Sequence, residues 1–292
     1  MTGLRGNWRV WTISLLIALA CCTAARTADA ADAGSCRPIW PAGIAPGDSP
    51  LAQPMRLVER STDPALPDRY VDHVSVPCIE IHRPARPNGR ALLELPGGGY
   101  QRIVLDKEGT ALLPAFVEEA GDTLVVLRYR LPGEGRADRE AALADAQRAL
   151  RLILDGVLGE DIDPARTGVI GFSAGGHLAA RLATATTAAY PAVDAADDRA
   201  PRPAFAALIY PVIDMQGRAT HAGSRQRLLG DTPGGARDAG SLDAATLAHW
   251  SMHTRVHRDM PPVFLLHASD DTVVPVQNTL LMHAALLEAG VP

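Results

Sequence analysis

The chain has 292 residues, 47% of them hydrophobic, which is enough to bury a large core. Its formal net charge is −5, and no basic cluster is long enough for nucleic-acid binding or for attraction to an anionic membrane. Residues 1–30 read as a secretory signal peptide rather than as part of a fold. Arg5 and Arg9 precede an apolar run, 10–20, that is too short to span a bilayer, and Ala28-Asp29-Ala30 supplies small residues for cleavage. The mature protein is therefore expected to be secreted or periplasmic, with no membrane attachment once processed. Cys21-Cys22 would suit a lipoprotein, but Ala18 stands where that signal calls for Leu. Cys36 and Cys78 remain in a compartment that permits disulfides. A bridge between them and two separate buried thiols both fit the sequence, and the spacing suits no metal.

Residues 31–68 are rich in Pro, Gly, Ala and Asp and read as a linker leading into an irregular N-terminal segment. From 69 onward, strands and helices alternate. Residues 71–76 and 79–82 read as short strands, and 91–95 as an apolar strand ended by Pro96-Gly97-Gly98-Gly99. A helix over 110–120 ends at Gly121, and a strand follows over 123–128. Residues 137–154 carry apolar positions at helical spacing. A strand at 167–170 and a helix over 176–186 flank a glycine-rich turn. Strands at 204–209 and 263–267 and a helix over 276–289 complete the pattern, with insertions at 187–203 and 214–245. This alternation predicts an α/β fold, a mostly parallel sheet with helices on both faces and ligands at the carboxyl ends of its strands.

The turn at 171–175 is Gly-Phe-Ser-Ala-Gly. Strand, tight turn, helix is the context of a nucleophile elbow, in which Ser173 is held in a strained conformation clear of the sheet. A glycine-rich turn whose serine merely caps the helix is the plainer alternative. A hydroxyl needs a base, and the base needs an orienting acid beyond a late strand. Asp271 fits that position, with Asp270 as its competitor. Oxyanion donors are expected from the backbone N–H groups of Gly98, Gly99 and Ala174. The base is harder to find. His177 lies one turn into the elbow helix and reads as a packing residue. His267 ends a strand and is expected to support the Asp271 loop, and His283 falls inside a helix as a surface or packing residue. No metal or cofactor is required by this chemistry.

The motifs together resemble bacterial secreted α/β-hydrolases of the acetyl-xylan-esterase type, often labelled "xylanase" or feruloyl-esterase-like (BD-FAE). The resemblance is carried by Pro96–Tyr100, Lys107-Glu108-Gly109, Tyr129-Arg130-Leu131-Pro132, Asp145-Ala146-Gln147-Arg148, Gly171–His177, Tyr210–Ile213, His221-Ala222-Gly223-Ser224 and His267–Pro275, in the family's order across about 72–292. It implies an α/β-hydrolase catalytic domain over 69–292 and hydrolysis of acyl, chiefly acetyl, esters of carbohydrates through an acyl-enzyme. Ser173 would be the nucleophile, Asp271 the acid, and Gly98, Gly99 and Ala174 the oxyanion donors. The substrate would be a small-molecule or polysaccharide ester, with no nucleic acid and no cofactor. The family continues to a further strand and a Gly-Gly-His-Gly-like loop that holds the base. That last strand and His loop are missing here, so the sequence reads as C-terminally truncated. A prolyl-oligopeptidase-type peptidase and a catalytically silent binding protein are the alternatives.

Overall fold

Continuous apolar runs form the centre of the sheet. In the computed structural model, which describes residues 36–48, 51–132, 134, 138–159, 161–230 and 242–292, every residue of Ala91–Leu95 is buried, as is every residue of Thr167–Phe172. Strands covered on both faces take this composition, because neither side chain set meets water. The described residues belong to the unit Ala33–Pro292. The expected signal peptide lies outside the described residues.

In chain order the strands are β1 (Arg37–Pro38), β2 (Arg56–Glu59), β3 (Arg69–Asp72), β4 (Cys78–His82), β5 (Ala91–Leu95), β6 (Ile103–Val104), β7 (Thr123–Arg128), β8 (Thr167–Phe172), β9 (Ala206–Ile209) and β10 (Val263–Leu266). The helices are α1 (Ala141–Leu154), α2 (Ser173–Thr184), α3 (Ala222–Leu229), α4 (Ala244–His249) and α5 (Gln277–Ala289). Seven strands form one sheet in the order β1-β4-β7-β5-β8-β9-β10. From β7 to β10 all neighbours are parallel, whereas β1 and β4 join antiparallel. β2, β3 and β6 form a small antiparallel sheet. Two clusters pack on opposite sides of the main sheet. The larger takes Leu93, Leu95 and Val169 together with α1 and α2, and the smaller takes Leu92, Val126, Ile170 and Phe172.

Two expectations need correction, and one open reading is settled. The described part of residues 31–68 is not simply a linker and irregular segment. β1 pairs with β4, β2 pairs with β3, and Trp40 enters the core at 3% exposure. The indole of Trp40 donates to Asp145 Oδ1 at 2.7 Å, tying this segment to α1. Of the two readings of the cysteines, the bridge is the one present: Cys36 and Cys78 form a disulfide with Cα atoms 5.4 Å apart. The helix expected at 110–120 is a 3-10 turn, Thr110–Leu112, followed by a π-helix, Leu113–Glu119. Pro114 offers no amide to the opening turn, and Ala120 N reaches back five residues to Ala115 O at 3.1 Å. Among the described residues no helix is long and apolar enough to cross a membrane.

One buried group makes stability depend on pH. Glu94, in β5, is 0% exposed, and neither carboxyl oxygen has a hydrogen-bond partner among the described residues. Burial holds its pKa well above the usual range, with the charges of Glu108 and Glu80 adding to the effect. The folded protein therefore keeps a proton that the unfolded chain releases near pH 4.3. From that pH upward Glu94 should cost about 1.4 kcal/mol of stability per pH unit, until the folded state also ionises. Urea titrations at pH 4.5 and pH 8 should show this decline in the parent and a shallower one in Glu94→Gln. Identical slopes would refute the assignment.

Candidate active site

β8 runs two residues further than the sequence suggested, and α2 begins at Ser173 itself. Ser173 has φ +51°, a region that non-glycine residues avoid. That strain is what a nucleophile elbow requires, and it is absent from an ordinary helix cap, whose residue is extended. The turn closes because Gly175 lies against the carbonyls of Leu95 and Pro96, where any Cβ would collide. Ala174 is fully buried and opens the amide-rich end of α2.

The glycine loop follows β5, which pairs with β8 in a register that sets Leu95 opposite Gly171. Both loops therefore leave the same edge of the sheet. A Cβ at Gly97 would stand 2.7 Å from Phe172 O and 3.0 Å from Ser173 Cβ, so the loop touches the nucleophile. Gly98 has φ +131°, and its carbonyl accepts from Gln101 N at 3.1 Å, which turns the chain back. The N–H of Gly97 is engaged, donating to Glu108 Oε2 at 2.7 Å. The N–H groups of Gly98, Gly99 and Ala174 have no hydrogen-bond partner among the described residues. Gly98 and Gly99 belong to the loop that touches Ser173, and Ala174 follows it directly in the chain.

Glu108 was only part of a motif in the sequence. In the structure it braces the glycine loop. Its Oε1 accepts from the Tyr210 hydroxyl at 3.1 Å while Oε2 holds Gly97. Burial raises the pKa of Glu108, against the pull of the Gly97 amide and the Tyr210 hydroxyl. Tyr210 follows β9 with φ +38°, its amide donates to Leu266 O at 2.6 Å, and its ring lies 5.8 Å from that of Phe172. It links the glycine loop to the end of β10.

Asp271 leaves that end. Its Oδ1 accepts from Val273 N at 2.8 Å and Val274 N at 2.9 Å, and Oδ2 lies 3.4 Å from His267 Nε2. Burial pushes its pKa up, but the two amides and His267 outweigh this and keep it below the usual carboxylate range. Asp270 is exposed, and its carboxylate holds no partner among the described residues. Asp271 is thus held by its own loop, and Asp270 is not.

Three buried or half-buried histidines are oriented away from base catalysis. His177 is fully buried, with Nε2 2.9 Å from Trp250 O and Nδ1 2.7 Å from the Tyr100 hydroxyl. A carbonyl only accepts, so the proton sits on Nε2 and Nδ1 takes the Tyr100 hydroxyl hydrogen. Burial pushes its pKa down to about 3, with Arg181 adding to the effect. His267 is engaged in the same way, with Nε2 2.8 Å from Val274 O and Nδ1 2.7 Å from Thr279 Oγ1. His221 Nδ1 accepts from Ser224 N at 3.2 Å and lies 2.8 Å from Ser224 Oγ. Its proton is therefore on Nε2, which is then a donor and not the acceptor a serine needs. Ser224 Oγ is 4.0 Å from the Cβ position of Gly99, so this pair flanks the glycine loop. His283 is exposed on α5. Among the described residues no group of His, Cys, Asp or Glu could hold a metal ion.

Comparison with known proteins gives the family and the fold. The chain is 31% identical over 209 residues to an acetylxylan esterase from Xylanibacter ruminicola, covering 71% of this chain and 39% of that protein. It is 32% identical to endo-1,4-beta-xylanase B from Butyrivibrio fibrisolvens, covering 69% of this chain and 30% of that one. The chain therefore spans about two fifths or less of the length of these two relatives. Among solved structures, an acetyl ester-xyloside bifunctional hydrolase from Caldicellulosiruptor lactoaceticus superposes with a TM-score of 0.65 at 32% identity. That match covers 89% of this chain and 83% of the other, and the shared fold is that of the α/β-hydrolases. The BD-FAE profile matches residues 79–286, a span that contains the strained serine, the glycine loop and the Asp271 loop alike, and the chain belongs to the BD-FAE family.

Proposed function

We propose that this chain is the catalytic portion of a serine esterase that removes acyl groups, acetyl foremost, from carbohydrate esters of the xylan type. The observation that carries the reading is Ser173 at φ +51° with the glycine loop packed against it at Gly97. Ser173 Oγ attacks the ester carbonyl, and the oxygen that becomes anionic is held by the N–H groups of Gly98, Gly99 and Ala174. The C–O bond to the sugar then breaks. The sugar hydroxyl leaves with the proton taken from Ser173, and water hydrolyses the acyl-serine. Asp271 orients the imidazole that carries that proton. This imidazole is assigned to a segment pairing with the open side of β10, a reading supported by the exposure of Phe264 (59%) and Leu266 (54%) there. The reading includes export, with residues 1–30 removed. The xylanase name of one relative is not carried over, because glycoside hydrolysis uses a carboxylate pair and this site is built on a serine.

Acetate release from acetylated xylo-oligosaccharides tests the reading. With the imidazole of the proposed triad in place, Asp271→Ala is expected to lower kcat by about 10⁴-fold with KM little changed, as for triad acids elsewhere. Equal rates in parent and variant would exclude Asp271 as the acid. A second reading, a binding protein without turnover, is favoured by the engagement of His177, His221 and His267. Saturable oligosaccharide binding with no acetate released would select it.

A further inference from the structure

A second cavity lies at the opposite end of α2 from the nucleophile. Arg181 stands eight residues beyond Ser173, about 12 Å further along the helix axis. The cavity has a volume of about 340 Å³ and is lined by Arg181, Arg255, His249, Glu140, Met252 and Thr186, among others. This size falls within the range of roughly 300–1,000 Å³ used for small organic ligands.

The Arg181 side chain is only 5% exposed. Its guanidinium lies 4.1 Å from the ring centroid of Trp250, and Nη2 is held by Glu140 Oε2. The plane of the group is thus set before any ligand arrives. Its Nη1 is buried and has no hydrogen-bond partner among the described residues. Arg255 adds a second guanidinium. It donates to His249 Nδ1 at 3.3 Å, so the ring proton of His249 is on Nε2 and is also a donor. Two guanidinium charges face one carboxylate, Glu140, which leaves the cavity with an excess of positive charge. The far wall is fixed: Gln147 donates to Thr187 O at 2.9 Å and accepts from Ala189 N at 2.8 Å.

We propose that this cavity binds a carboxylate-bearing sugar. The carboxylate meets the Arg255 guanidinium, with the charge of Arg181 in the cavity wall beside it. The ring fills volume that a bare carboxylate such as acetate would leave empty, with Thr186 offering a hydroxyl to it. The site is separate from Ser173, so its test does not depend on turnover.

The test follows the Met252 methyl signal of the full chain labelled with ¹³C-methyl methionine. Glucuronate, xylose, acetate and inorganic phosphate serve as probes. Glucuronate is expected to shift the Met252 methyl saturably at millimolar concentration, xylose to leave it unmoved, and acetate and phosphate to bind at least tenfold more weakly. Arg255→Ala, at an exposed position, should weaken glucuronate at least tenfold with an unchanged melting curve. Arg181→Gln should do the same. If that variant fails to fold, Arg255→Ala and the Met252 signal carry the result. No shift with glucuronate overturns the proposal. So does equal binding of xylose, equal binding of acetate or phosphate, or undiminished binding in Arg255→Ala.

Discussion

With the imidazole of the proposed triad in place, replacing Ser173 with alanine is expected to lower kcat for acetyl-ester hydrolysis by about 10⁶-fold, some 8 kcal/mol of lost transition-state stabilisation. The effect should fall on kcat rather than KM, because the hydroxyl is needed for bond formation and not for substrate binding. The residual rate should still exceed that of water, since Gly98, Gly99 and Ala174 keep their amides beside the bound carbonyl. Melting temperature is a further readout. Ser173 sits at φ +51°, so alanine inherits the strained backbone and the variant should not gain stability from its relief. Steady-state assays with p-nitrophenyl acetate, with the background rate subtracted, measure the first effect. A variant that retains more than about a hundredth of the parent rate would move the nucleophile elsewhere.

The second large effect is on stability. Cys36 and Cys78 close a loop with a sequence separation of 42. Cross-linking a loop of that length restricts the unfolded chain enough to stabilise the fold by about 4 kcal/mol. The bridge also joins β1 to β4 at the antiparallel edge of the main sheet, where Arg37 pairs with Ile79 and Pro38 with Cys78. Changing both cysteines to serine should therefore lower Tm by roughly 10 °C, while the Ser173 region, several strands away, keeps its geometry. Reduction of the parent with dithiothreitol should produce a similar drop. Equal melting of the parent, the reduced protein and the double variant would show that the bridge contributes nothing.

The elbow and the glycine loop were legible in the sequence because their requirements are local. Gly171 and Gly175 stand within two residues of Ser173, and a Cβ at Gly171 would strike the carbonyl of Gly175. The buried strands were legible for the same kind of reason, since a strand covered on both faces has only apolar neighbours. The element ends were less so. α2 starts at Ser173 and not at 176, because the elbow's strained residue is itself the first of the helix. The segment 31–68 was misread because β1 and β2 are short, and what orders them lies far along the chain in β4, β3 and Asp145. The π-helix at 113–119 has helical spacing on paper, and its shift to i→i+5 bonding could not be read from periodicity.

By itself the sequence determined the α/β alternation and pointed to Ser173, the glycine loop and the Asp271 region as the proposed site, since each follows from sterics or patterning over a few consecutive residues. Tertiary structure decided the rest. It held Asp271 on the amides of Val273 and Val274, gave Glu108 its grip on Gly97, and joined Cys36 to Cys78. It also committed the ring nitrogens of His177 to Tyr100 and Trp250, residues 77 and 73 positions away. Burial and hydrogen-bond partnership are set by which distant segments meet, and no local pattern encodes that meeting.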